Sequence, residues 1–144
     1  MTDAVSKITA DDFYALMHAE MPLVIKWGIS IDALGDGTAT VRLPYQGDLI
    51  RPGGTIMGPA MMMLGDLGVY VAVLTKIGKV ELAVTTSLTT NFLRKPAPGD
   101  LIGDARIIKL GRRLAYGEVF VHSEHEEDPV AHITATYSIP PDRA

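Results

Sequence analysis

The sequence predicts an α+β domain in which an antiparallel sheet wraps around one long central helix. Three observations carry that expectation. From Pro52 to Thr75 the chain runs 24 positions with a single charged side chain, Asp66, and a helix apolar all round has to be buried on all sides. From Glu81 onward the pattern becomes strand after strand, two of them with clear alternation. An antiparallel sheet must bury its apolar face, and this helix is the long apolar element available to cover it.

Thr9 to Ala19 reads as a short amphipathic helix. Thr9 is its N-cap, Asp11 and Asp12 lie in the first turn where the helix dipole favours them, and Phe13, Leu16 and Met17 share one side. Pro22 is expected to stop it. Ile29 to Leu43 reads as a hairpin, with Gly35, Asp36 and Gly37 supplying the turn. A Gly- and Pro-rich loop follows from Pro44 to Pro52. The central helix is placed at about 58–76, with Pro59 in its first turn and Gly78 as its C-cap.

Four strands are expected after it, at 81–94, 100–110, 113–125 and 129–139, in meander-like succession. In the first, Leu82, Val84, Leu88 and Phe92 would share the core face, with Thr85, Ser87, Thr89 and Asn91 opposite. In the last, Ala131, Ile133, Ala135, Tyr137 and Ile139 would face the core.

Composition narrows the function. With 144 residues, the expectation is a single domain spanning 1–144. Hydrophobic residues at 47% and charged residues at 21% exclude disorder and fibrous repeats. Seventeen acidic against thirteen basic residues leave −4, with no basic stripe, so no nucleic-acid partner is expected. The absence of cysteine excludes a thiolate nucleophile, a disulfide framework and a Cys-based zinc site. Glycines at 58, 65 and 68, prolines at 52 and 59 and a carboxylate in mid-run argue against a membrane span. The N-terminal residues lack the pattern of a signal peptide, so the cytoplasm is the expected location. His122 and His125, with Glu124 and Glu126, fall at a spacing that suits neither a helical nor a strand metal face. No metal or other cofactor is expected.

Arg51-Pro-Gly-Gly-Thr-Ile-Met-Gly-Pro59 resembles the Asn-x-x-Gly-Thr-x-His-Gly-Gly segment that opens the central helix of hotdog-fold acyl-CoA thioesterases of the phenylacetyl-CoA type. Asp66 stands nine positions after Met57, the family's spacing from its His to its catalytic Asp. Thr85 to Asp100 is similar to the family's strand of the type T-V-D-L-N-I-N-F-L-R-P-A-x-x-G-D with one extra residue, Lys95, and Gly111-Arg112-Arg113 matches its Gly-Arg turn. The likeness runs from about residue 25 to 140. Met57, Arg51 and Pro59 stand where the family has His, Asn and Gly.

The resemblance implies a hotdog fold, assembly as a homodimer or dimer of dimers, and hydrolysis of an acyl-CoA substrate. Asp66 would activate water or attack the thioester itself, because a carboxylate in apolar surroundings is both costly and basic. Gly58, at the helix N-terminus, would offer its backbone N–H to the carbonyl oxygen as it becomes anionic. Thr85 is implied to reach the site from the partner subunit. Its periodicity sets it opposite the core face, so a bulge or a cross-dimer geometry is needed to bring it to Asp66. Arg51, Met57 and Pro59 would shape the oxyanion loop, and Met62, in the Met61–Met63 run, would tolerate varied acyl groups. Asn91 shares the polar face of Thr85 and joins the substrate-binding set. Arg94, Arg112 and Arg113, with Lys95, would bind the phosphates of coenzyme A. The alternative is a hotdog protein that holds an acyl-CoA or aromatic ligand without turning it over. A hydratase would want a His and Asp pair on the central helix, and no His occurs between residues 19 and 121.

Overall fold

The computed structural model describes residues 5–141. Six antiparallel strands form one sheet: β1 (Ser30–Leu34), β2 (Thr38–Leu43), β3 (Val84–Phe92), β4 (Leu101–Leu110), β5 (Leu114–Ser123) and β6 (Pro129–Ser138), in the order β1-β2-β4-β5-β6-β3. The central helix, Gly58–Ile77, packs across β2, β4, β5, β6 and β3. Its Leu64, Val71, Ala72 and Leu74 are buried, as are Val41, Ala105, Val119 and Ile133 of the sheet. The helix is long and apolar enough to cross a membrane, but two thirds of its most apolar window (67%) is buried against the sheet. Gly65 allows the close approach, since a Cβ there would collide with the Ile133 side chain. Gly78 closes the helix at a φ of 85°.

The first helix, α1 (Ala10–Glu20), starts from a capping box. The Thr9 hydroxyl accepts from the Asp12 backbone at 3.0 Å, and the Asp12 carboxylate accepts from the Thr9 backbone at 2.9 Å. It buries Phe13 and Met17. Pro22 does not simply stop it. The break falls at Met21, and Pro22 begins a second short helix, α2 (Pro22–Lys26), where its fixed φ suits the first turn. The central helix is therefore α3.

Two expectations about β3 are corrected. It is not the first strand of a meander, because it pairs with β6 at the sheet edge while β4, β5 and β6 alone form the meander. The connection after β3 crosses the ends of β6 and β5: the Leu93 and Arg94 backbones donate to the Val130 carbonyl, and Ala97 N–H to the Ser123 hydroxyl. Nor do Leu82, Val84 and Phe92 form a core face. They are 77%, 57% and 52% exposed. The register slips between Thr85 and Ser87, so that Thr85 lies opposite Tyr137 and Leu88 opposite Ala135. A bulge of this kind changes which residues share a face. Thr85 thereby joins Leu88 on the side facing the helix.

Candidate functional site

Asp66 sits on α3, half-buried, where the helix passes β3 and β6. Its Oδ1 accepts two hydroxyls: Thr85 Oγ1 at 2.7 Å and Tyr137 OH at 2.6 Å. The Tyr137 hydroxyl also lies 3.0 Å from the Asp66 carbonyl oxygen. Burial, and then the adjacent Asp66 carboxylate, holds the Tyr137 phenol protonated far above its ordinary range. It is a permanent donor. Oδ2 has no hydrogen-bond partner among the described residues, and Asp66 lines a cleft of about 220 Å³ with Met21, Met63, Leu67, Tyr70 and Val84. One oxygen is anchored and the other is free to take a proton or attack, which is the arrangement a general base or a nucleophile needs.

Thr85 reaches Asp66 of its own chain, by way of the bulge. The resemblance implied a contribution from a partner subunit; within one chain, a strand that pairs with β6 already stands beside the helix. Tyr137 was missed. Its position among Ala131, Ile133 and Ala135 on the apolar face of β6 marks it as core, and it is indeed only 3% exposed. The available signal was a phenol in an otherwise aliphatic row, since a buried hydroxyl demands a partner.

Gly58 opens α3 as expected. Met57 is the N-cap with extended backbone and no side-chain cap. Pro59 has no N–H, and the Ala60 and Met61 N–H groups turn back to the Met57 carbonyl. The Gly58 N–H is left as the donor of the first turn. Around it lies a separate cleft of about 240 Å³ that collects Arg51, Met61, Phe92, Arg94 and Lys95. A Cβ at Gly58 would come within 3.1 Å of the Phe92 ring. Arg94 is braced by Glu126 at 2.9 Å and Asp128 at 3.3 Å. Met57 packs against the core from the loop, beside Pro59.

The other expected residues are not brought to these clefts. Met62 lines neither, because the helical turn directs Met61 to one and Met63 to the other. Asn91 lies opposite His132, on the sheet face away from the helix. Arg112 and Arg113 occupy the β4–β5 turn, beside Leu114 and Ser138 at the end of the sheet where β3 begins. Arg94 follows the other end of β3, so these arginines do not form one cluster within a chain.

Asp66 is eight residues from Gly58, or about 12 Å along the helix axis. A carbonyl group cannot touch both within one chain.

Comparison with known proteins adds the family context. The sequence profile of the thioesterase superfamily matches residues 53–130. A crystal structure from a Silicibacter species, provisionally named a thioesterase, is 46% identical, covers 94% of this chain and 94% of its own, and superposes with a TM-score of 0.85. A mutant structure of the phenylacetic acid degradation protein PaaI of Thermus thermophilus is 28% identical over 83% of this chain and 99% of its own, with a TM-score of 0.73. A provisionally named esterase of Halobacterium salinarum is 32% identical over 120 residues, 78% of this chain and 79% of the relative.

Proposed function

The chain belongs to the thioesterase superfamily, and from that premise we propose that it hydrolyses an acyl-CoA thioester to the free acid and coenzyme A, as a cytoplasmic homo-oligomer. The observation that carries the reading is Asp66, anchored through Oδ1 by Thr85 and Tyr137 with Oδ2 free at the mouth of a largely apolar cleft.

In this reading the acyl group enters that cleft. Asp66 Oδ2 takes a proton from water as the water oxygen attacks the thioester carbon. The carbonyl oxygen becomes anionic and is held by a Gly58 N–H at a helix N-terminus, where the backbone donor and the dipole act together. The C–S bond then breaks, and the proton held by Asp66 passes to the departing thiolate. Thr85 and Tyr137 keep the carboxylate oriented throughout.

The 12 Å between Gly58 and Asp66 along one helix requires that the donor and the base on one substrate come from two chains. A dimer or dimer of dimers supplies that pair. Arg51, Arg94 and Lys95 beside Gly58 suit the phosphates of the coenzyme A arm. The ligand-binding alternative draws on Met57 and Arg51, which stand where the family has His and Asn.

The test is release of free thiol from a panel of short, medium, long and aryl acyl-CoAs. Turnover of at least one, with kcat/KM of about 10⁴ M⁻¹s⁻¹ or more, is expected. Tight binding with no thiol release from any of them would overturn hydrolysis in favour of the binding alternative.

A further inference from the structure

Two clefts lie end to end along one face of α3. Met63, Asp66, Leu67 and Tyr70 line the first and Leu74 lines the second, at i, i+3, i+4, i+7 and i+11, which fall on a single helical face. The second cleft, of about 290 Å³, lies beneath α1, where Ile8, Phe13, Ala15 and Leu16 contribute its wall. Asp12 and Lys79, paired at 3.1 Å, stand at its edge. Its interior is hydrocarbon, and nothing in the proposed mechanism uses it.

Glu81 borders both clefts. At that border the Tyr70 hydroxyl donates to the Glu81 carbonyl oxygen at 3.1 Å. The Tyr70 ring is tilted against Tyr137, with centroids 5.8 Å apart. Burial, and then the Glu81 charge, pushes the Tyr70 phenol up to about 12, so it remains a donor. Along the helix Tyr70 stands between Asp66 and Leu74, and the residue it contacts, Glu81, lines both clefts.

Resting on the acyl-CoA reading above, we propose that Tyr70 sets the length of acyl chain this site accepts. The acyl group fills the cleft beside Asp66 and stops at the Tyr70–Glu81 contact. The apolar space beneath α1 is the continuation of the same path, reached only when that contact is absent. Opening it would extend the path toward Leu74, about 12 Å along the helix from Asp66. Each methylene newly buried there is worth about fourfold in affinity.

The experiment measures chain-length preference twice, by thiol release from acyl-CoAs of four to sixteen carbons and by calorimetric titration with non-hydrolysable S-alkyl coenzyme A thioethers of the same lengths. Tyr70→Ala should shift the preferred length upward, raising the long-to-short ratio by tenfold or more in both measurements. Tyr70→Phe, which keeps the ring and removes only the hydrogen bond, should move it less in the same direction, and it serves if the Ala variant does not fold. Adding Ala15→Trp, at an exposed position of α1 that borders the second cleft, to Tyr70→Ala should cancel the gain for long chains. An unchanged length preference in the Tyr70 variants overturns the proposal whatever their turnover. A length shift in thioether binding without thiol release supports the gate and overturns hydrolysis alone. Binding of no thioether by any variant overturns both.

Discussion

Tyr137 combines packing and positioning in one side chain. Its ring belongs to the core, and its hydroxyl reaches Asp66 Oδ1 at 2.6 Å. A hydrogen bond to a charged group contributes about 1.5–3 kcal/mol when one partner is removed, more than a neutral pair does. Tyr137→Phe keeps the ring, so the expected result is a loss of that order in stability together with a fall in kcat of about tenfold, as Asp66 loses one of its two anchors. Thermal melting and thiol release on the same preparation check both. Unchanged kcat with lowered stability would leave Tyr137 as a core residue only. Its role was hidden in the sequence because β-strand alternation sorts Tyr137 with Ile133 and Ala135, and alternation does not reveal what a phenol at the end of such a row touches. Asp66 was legible for the opposite reason: a lone carboxylate in a 24-residue apolar run stands out.

At the scale of elements, the helix and the sheet are held close by small residues at their contact. A Cβ at Gly65 would meet the Ile133 side chain, and Gly68 faces Ala105, Val119 and Val41. Gly65→Ala should therefore cost about 1–3 kcal/mol, as overpacking does. Combining it with Ile133→Val, which removes the Ile133 Cδ1 methyl, should recover part of the loss. Additive destabilisation in the double variant, read by denaturant melts, would contradict this packing. The ends of α3, the Thr9 N-cap of α1 and the β1–β2 hairpin were legible, because Thr9, Pro59, Gly78 and the turn at 35–37 are local signals; the capping role of Asp12 and the short helix that Pro22 begins were not. The place of β3 was not. Its edge position depends on where the Leu93–Asp100 connection leads, and its bulge depends on pairing with β6. Neither is a property of nine residues read alone. That is why strict alternation put Thr85 on the wrong face, and why Leu82, Val84 and Phe92 looked like core.

For the whole molecule, the distance along α3 between Gly58 and Asp66 makes the proposed site a product of assembly. Among the described residues β3 also has no partner on its outer edge, which carries exposed Val84 and Phe92, the kind of edge that proteins cover or pair. Light scattering at micromolar concentration should give at least twice the chain mass of 15.5 kDa, and a value equal to one chain would remove the donor from the site. In the proposed mechanism Asp66 is the base or nucleophile, and Asp66→Asn isolates that role because it preserves size and shape while removing the charge. Thiol release from the best acyl-CoA should fall by about 10²-fold or more. The melting temperature should stay level or rise, since the amide oxygen can still accept from Thr85 and Tyr137 while the cost of holding a half-buried charge is removed. Undiminished thiol release together with a lowered melting temperature would contradict the account and make Asp66 a packing residue.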